Sequence, residues 1–373
     1  DVSVITRVPR YNVADGTELD KVPAFEEMSG VNVYRYQTPP LARDIPLVRG
    51  LEHFIIALVF FFAGLKLGDF DVILVYSPPL PLGITGFFLG KVKGCPVVVN
   101  IQDLYPQTVI DLGLLKNPAL IKISKMIEQF IYKNSNAVTV HSEGNHQYVL
   151  SQGSAKENTY IVHNWVDTDL IRPAQKENPF SIQYGLKDKF VVSFAGVMGF
   201  AQGLNVVIEA AEILKDKKEI VFVLVGDGVK RPEIVEQARQ LGLANVLFVK
   251  TVPRSDYPQI LHASDVCLVT LSKSLVTPVV PGKLLSIMAA GRPVITSLPL
   301  EGDTPKIVQG SGCGISVPPE DPAALAEAVL KLYNNKELAE NMGENGRKAA
   351  EELFSRTACV SRYGQIFSEL ITK

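Results

Sequence analysis

Short apolar runs of four to seven residues, rich in Val and Ile, recur along the chain: VSVIT near the start, VILVY (72–76), PVVVN (96–100), AVTV (137–140) and TYIVH (159–163). They lack the polar alternation of a strand with one wet face, so they predict strands buried on both sides. Helical patterns separate them, and this βαβ rhythm implies a parallel sheet covered by helices. A second series follows the polar stretch PAQKENPFSIQYGLKDK (173–189): FVVSFAG, IVFVLVG (220–226), NVLFVK (245–250), VCLVTL (266–271), PVIT (293–296) and GISV (314–317). The pattern predicts an α/β chain of two doubly wound domains joined near residues 165 to 190. One run differs from the rest: FIIALVFFFAGL (54–65) is too short to span a bilayer and predicts a buried or interfacial helix.

The length of 373 residues agrees with two cores rather than one. With 37 basic and 39 acidic residues the net charge is −2, and nothing global points to a nucleic-acid partner. Cys95, Cys267, Cys313 and Cys359 have no metal-ligand spacing and mostly lie in or beside apolar runs, which suits buried thiols in a reducing compartment. The opening DVSVITRVPRYN already reads as a strand and its exit loop, with no initiator Met and no cleavable signal pattern, so preceding residues are expected.

In open α/β sheets ligands bind beyond the carboxyl ends of the strands, and with two such domains the natural site is the cleft between them. Four loops of the second half fall there. FAGVMGFAQGL places Gly196, Gly199 and Gly203 between a strand and a helix, the plan of a phosphate-binding turn or of a plain glycine-rich connection. VGDGVKR ends a strand with Gly226, Asp227 and Gly228 and continues to Lys230 and Arg231; turn chemistry alone also explains it. In KTVPRSDYPQIL, Ser255 or Asp256 suits a helix cap, and Arg254 reaches across the cleft or stays solvated. PGKLLSIMAAG starts a helix at Pro281 and Gly282 and sets the Lys283 cation against the positive end of the helix dipole. An anion between the two relieves that conflict, so a diphosphate is expected. The stretch is no P-loop, because Leu284 stands where a Ser or Thr would hold magnesium.

In the first half, Asp103 follows the PVVVN strand, and Tyr105-Pro106 makes a stiff exit. Asp103 reads equally as a carboxylate that orients or deprotonates a hydroxyl and as an Asx turn or helix cap. His163, Asn164 and Trp165 sit at the domain join. Asp167-Thr168-Asp169 is too short a match to assign a metal.

Taken together, DLYPQ, HNWVD, AGVMGFAQGL, VGDG, VPRSDYPQIL, ASDVCLVTL, PGKLLSIMAAGRPVI and GCGISVPPEDP resemble a retaining glycosyltransferase of family four with the two-domain GT-B fold, over nearly the whole chain. The branch it looks closest to transfers sugars, often N-acetylated aminosugars, to polyprenyl-linked acceptors in bacterial surface-polysaccharide synthesis. The resemblance implies an acceptor-side Rossmann-like domain over 1–168, with 355–373 crossing back onto it, and a nucleotide-sugar-binding domain over 169–354. It implies transfer with retention, no cofactor and no metal, a nucleotide-diphosphate sugar as substrate, and work in the cytoplasm or on the cytoplasmic face of the inner membrane. It assigns Asp103 and Lys283 to catalysis. Gly199, Gln202, Gly226, Asp227, Lys230, Val252, Arg254, Gly282, Leu284 and Ser286 go to the donor, and Tyr105, His163 and Asn164 to the acceptor or cleft.

The departures matter. The Arg and Lys common in the first turn fall at Met198 or Phe200 and at Gln202, and the usual pair of glutamates falls at Pro278 and Ser286. Lys283 then replaces the lost phosphate cation. The family's first strand and its glycine-containing acceptor loop are expected to precede residue 1. Helix 54–65, with Arg43, Arg49 and Lys66 beside it, fits an anionic membrane surface or a place under the sheet. A sugar-nucleotide epimerase and a non-catalytic nucleotide-sugar-binding relative remain as alternative functions.

Overall fold

The computed structural model describes residues 1–8, 22–38, 46–275 and 277–372, with residues 46–49 in backbone only. Arg43 and the side chain of Arg49 therefore lie outside the described residues. The first domain carries β1 (Val2–Arg7), β2 (Phe25–Met28), β3 (Val31–Tyr36), β4 (Ile73–Ser77), β5 (Val97–Ile101), β6 (Ala137–Val140) and β7 (Thr159–Ile161). Its helices are α1 (Pro46–Lys66), α2 (Leu82–Lys93), α3 (Gln107–Asp111), α4 (Pro118–Asn134) and α5 (Glu143–Ser151). Strands β4, β5, β6 and β7 pair in parallel in that order, while β1 and β2 flank β3 in a separate sheet. Among the described residues, β1 and β4 each keep one edge unpaired. The β2–β3 hairpin was not among the strands read from the sequence; it turns at Ser29 and Gly30, both left-handed with φ of 51° and 81°.

The second domain contains β8 (Phe190–Ala195), β9 (Ile220–Val225), β10 (Val246–Val249), β11 (Val266–Thr270), β12 (Val294–Ser297) and β13 (Gly314–Val317). Around them lie α6 (Pro179–Gln183), α7 (Asn205–Ile213), α8 (Arg231–Gln240), α9 (Tyr257–Ala263), α10 (Gly282–Ala289), α11 (Asp303–Ser311), α12 (Pro322–Asn334) and α13 (Lys336–Leu353). All six strands are parallel in the order β10-β9-β8-β11-β12-β13. Because β8 lies beside β11, the chain winds outward from that pair in both directions. The chain turns opposite ways after β8 and β11, which makes their ends the switch point where α/β sheets place their ligand crevice. Phe194, Phe222, Val266 and Ile295 on one face and Val191, Val223, Val269 and Val294 on the other are all fully buried, which accounts for the unbroken apolar runs.

The last helix, α14 (Arg356–Ile371), returns to the first domain. Cys359 and Ile366 pack there with Val98, Ala137 and Val162, and the Tyr363 hydroxyl meets the Asn100 amide and the Thr139 hydroxyl. Helix α1 has 21 residues, and among the described residues no helix is long and apolar enough to cross a membrane.

Candidate functional site

The loop leaving β8 is shaped by its neighbours. Gly196 takes φ 150°, and a Cβ on Gly226 would lie 2.0 Å from the Gly196 carbonyl oxygen. A Cβ on Gly228 would lie 2.5 Å from the Met198 oxygen, and the Met198 N–H donates to the Asp227 carbonyl at 2.8 Å. The glycines of VGDG are therefore needed for two backbones to touch. Gly226 and Asp227, expected at the donor, instead brace the loop that faces it, and the Asp227 carboxylate accepts from the Gly228 N–H at 2.8 Å. Gln202 also works inward, since its Oε1 accepts from the Gly199 N–H at 3.1 Å. The turn thus spends the amide that a phosphate-binding reading leaves open at Gly199, and Gln202 offers a ligand only its amide nitrogen. The Ser272 N–H donates to the Ala201 carbonyl at 2.8 Å and ties this turn to the loop after β11.

Helix α10 begins on the other side of the crevice. Pro281, the residue before it, is extended, with φ −62° and ψ 129°, and no side chain caps the helix. The Leu284 N–H donates back to the Pro281 carbonyl at 2.9 Å, and the Leu284 side chain is fully buried. Leu284 is therefore structural, and the amides left for an anion are those of Gly282 and Lys283. Gly282 is exposed, with open space where a Cβ would sit.

The Lys283 side chain folds over the end of β8. Its Nζ lies 3.8 Å from the centre of the Phe194 ring and 3.1 Å from where a Cβ on Gly196 would be. Among the described residues no carboxylate or carbonyl partners this ammonium. Burial pulls its pKa down to about 8. A desolvated cation held by a ring face alone is the strongest anion-seeking feature of the crevice.

The other expected donor residues are spread around it. Ser286, one turn on from Lys283, lies near Tyr257, whose hydroxyl is pushed up to about 12 by burial. The Lys230 ammonium lies 5.0 Å from the centre of the exposed Phe200 ring and pairs with Glu233 at 2.6 Å, on the rim. Arg254 is exposed. Val252 packs its side chain into the cluster of Phe180, Val249 and Ile260, so only its backbone is left for a base.

On the facing domain, Asp103 is exposed just past β5, and its charge is felt by both Tyr76 and His141. Tyr105 stands edge-on to His53, with ring centres 6.5 Å apart, and packs against its own domain's core. His163 is a tie at the hinge: Nδ1 donates to the His141 carbonyl at 2.9 Å, and the ring meets Phe354 edge-on. Asn164 lies partly buried beside it. Asp167 caps the turn that follows, accepting from Leu170 and Asp169 N–H at 3.0 and 3.1 Å and pairing with Arg356 at 3.2 Å.

His141 was not singled out in the sequence. It directly follows β6 and is buried; its Nε2 sits 2.9 Å from both the Gln102 carbonyl and the Asn145 amide, while Nδ1 has no partner. Burial lowers its pKa, so the ring is neutral near pH 7. The signal was available: AVTV runs straight into HSEG, at the same kind of strand end that was read elsewhere.

The two domains touch beside this histidine. The Gly144 N–H, in the first turn of α5, is shared by both Asp303 carboxylate oxygens at 3.0 and 2.9 Å. A Cβ on Gly144 would come within 2.7 Å of Pro278, in the loop that leads to α10. Thr277 in that loop also donates to Asp111 of α3. These contacts hold the His141 side of the cleft against the Lys283 side.

Residues 176–349 match the family model described as "Glycosyl transferases group 1", and residues 1–165 match "Glycosyl transferase 4-like domain". The chain is 26% identical over 264 residues to a probable glycosyltransferase, WbjE, of Pseudomonas aeruginosa, covering 70% of this chain and 66% of that one. It is 26% identical over 248 residues to the putative colanic acid biosynthesis glycosyl transferase WcaI of Escherichia coli (strain K12), covering 65% of this chain and 61% of that one. The match therefore spans less than two thirds of these curated relatives' own length. Among solved structures, Anabaena Alr3699/HepE in complex with UDP superposes with a TM-score of 0.72 at 18% identity, over 91% of this chain and 86% of that one. At that identity the likeness is one of fold.

Proposed function

Because the chain belongs to the two-domain glycosyl transferases, with a 4-like domain ahead of a group 1 domain, we propose that it transfers a sugar from a nucleoside-diphosphate donor to a polysaccharide-precursor or polyprenyl-linked acceptor. The observation that carries this reading is the unpartnered ammonium of Lys283 at the switch-point crevice. The diphosphate lies against Lys283 and the free N–H groups of Gly282 and Lys283, where the helix dipole adds to the field. As the sugar leaves, negative charge grows on the β-phosphate. Donors already aimed there are worth on the order of 10²–10³ in rate.

The acceptor comes from the first domain, past Asp103 and the neutral His141. Asp103 orients or deprotonates the incoming hydroxyl, and Ser286, near Tyr257, faces the nucleoside side. We further propose retention of anomeric configuration, chemistry that uses no metal, and an N-acetylated aminosugar among the donors to try first. The UDP bound to the Anabaena neighbour supports beginning with uridine nucleotides.

The test is a thermal-shift screen of uridine, guanosine and thymidine diphosphate sugars, followed by mass spectrometry of a polyprenyl-diphosphate-linked sugar incubated with the stabilising donor. A product one sugar heavier supports the proposal, and its anomeric proton coupling reports the stereochemistry. Conversion of the donor to its epimer without any acceptor would overturn it.

A further inference from the structure

Two stretches of chain cross between the domains, residues 162–171 after β7 and residues 354–355 between α13 and α14, and they run side by side. The Val166 N–H donates to the Phe354 carbonyl at 2.9 Å, Val166 forms a parallel bridge with Ser355, and Asp167 meets Arg356 at 3.2 Å. Residues 167–171 close a single turn, in which the Ile171 N–H donates to the Asp167 carbonyl at 2.9 Å. Arg347 of α13 reaches this turn from the second domain. Its Nη1 lies 3.1, 2.9 and 2.8 Å from the carbonyls of Thr168, Ile171 and Ala289, and its Nη2 lies 3.2 Å from Thr168. Glu351 takes the remaining N–H groups, at 2.7 Å from Nε and 2.6 Å from Nη2. One guanidinium thus gathers three carbonyls from two segments together with a carboxylate, which a planar fork of five N–H donors can do and a lysine cannot.

Ala289 is the last residue of α10, whose first turn carries Lys283 and the free amides of the crevice. The end of this helix is packed tightly against α13 and the linker. A Cβ on Gly343 would lie 2.2 Å from the Gly291 oxygen, one on Gly346 3.4 Å from the Met288 Cα, and one on Gly291 3.0 Å from the Pro173 ring. Met288, Ala289 and Ala290 are fully buried. A packed helix of eight residues, roughly 12 Å long, moves as one piece, so a shift of its last turn is carried to its first. The Arg347 cation also lies at the negative end of the α10 dipole, and charge alone would account for the contact with Ala289. It does not account for the contacts with Thr168 and Ile171. Those divide the hinge turn between two arginines: Arg356 opens α14, which packs on the first domain, while Arg347 belongs to the second. Rotation of one domain against the other therefore acts on the turn between them.

We propose that Arg347 is a positioning residue that couples closure of the two domains to the donor site, by tying the hinge turn to the end of α10 so that the turn and the Lys283 end of the helix move together. The inference rests on the donor reading of that crevice. Coupling of this kind is reciprocal, so a diphosphate bound at the first turn of α10 must also be felt at residues 167–171, beyond the other end of the helix.

The test is hydrogen exchange and small-angle scattering of the full chain with and without uridine, guanosine or thymidine diphosphate, whichever binds most tightly by calorimetry. On binding, wild type should contract and protect the amides of residues 167–171. Arg347→Gln and Arg347→Lys should lose both responses and bind the nucleotide about fivefold more weakly or worse. Glu351→Gln leaves the three carbonyl contacts in place and should behave as wild type, while Tyr363→Phe should lower the denaturation midpoint without moving either response. Those two variants separate coupling from loss of stability. Exchange at 167–171 that the nucleotide leaves unchanged in wild type would overturn the proposal, even if the Arg347 variants fail to fold. So would full recovery in Arg347→Lys, which would leave only a charge at the helix end, or a contraction of Arg347→Gln equal to that of wild type. A wild type that binds none of the three nucleotides would remove the donor reading and this inference with it, whereas binding without a response at the hinge would remove the coupling alone.

Discussion

Lys283 makes a prediction whose size follows from its surroundings. Its side chain is half-buried, its ammonium rests on Phe194, and desolvation draws its pKa down to about 8 from 10.5. At about 1.4 kcal/mol per pH unit, that difference corresponds to roughly 3 kcal/mol. The folded pKa lies below the unfolded one, so the unfolded chain binds more protons between them. Stability of the free protein therefore rises with pH from about 8 to 10.5. Below pH 8 the cost is fully present, and Lys283→Met should raise stability by up to about 3 kcal/mol while removing nucleotide binding.

A bound diphosphate reverses the balance by supplying the missing counter-charge, so binding above pH 8 must take up a proton. Isothermal titration calorimetry in buffers of different ionisation enthalpy reads this directly. Above pH 7.5 the diphosphate itself carries no titrating proton, because its last pKa lies near 6. Uptake should be about one half at pH 8 and about nine tenths at pH 9, with affinity falling by nearly tenfold between pH 7.5 and 9. An affinity flat across this range, with no proton uptake, would refute the reasoning, as would Lys283→Met binding like wild type.

Three further outcomes follow from contacts elsewhere. Gly226→Ala places a methyl 2.0 Å from the Gly196 oxygen at a φ of 138°, and should cost about 3 kcal/mol or more by urea denaturation; a loss near zero would show that the two loops do not touch. Gly144→Ala wedges a methyl between Asp303 and Pro278, so small-angle scattering should show a more open molecule and turnover should fall by at least roughly tenfold. Nucleotide affinity, held by the other domain, should change little in that variant. Tyr363→Phe removes the hydroxyl shared by Asn100 and Thr139 and should cost about 1 kcal/mol, measured as a lower denaturation midpoint.

Strands buried on two faces were legible because nothing in them alternates, and β4 through β13 all fall on runs visible in the sequence; β4 alone departs from the two-sided burial expected of VILVY among these runs in leaving both Leu74 and Tyr76 exposed on one face. The β2–β3 hairpin was passed over although Ser29-Gly30 is a turn signal, since its residues are mostly half-exposed and form no long apolar run. Near the switch point, the helix start that carries Lys283 was readable from Pro-Gly-Lys ahead of an apolar run. The tasks of Gly226, Gln202 and Leu284 were not, because each depends on which backbone group another loop or turn presents. A glycine needed for a ligand and a glycine needed for a neighbouring carbonyl look alike in one dimension. His141 followed the same strand-end rule as Asp103 and was passed over for His163, which the fold uses at the hinge.

A crystal structure of the chain with a nucleoside diphosphate bound at pH 7.5 tests the donor site most directly. The expected result places a β-phosphate oxygen within about 3 Å of Lys283 Nζ and of the Gly282 or Lys283 amide. A diphosphate bound elsewhere, with Nζ still resting on the Phe194 ring, would contradict it.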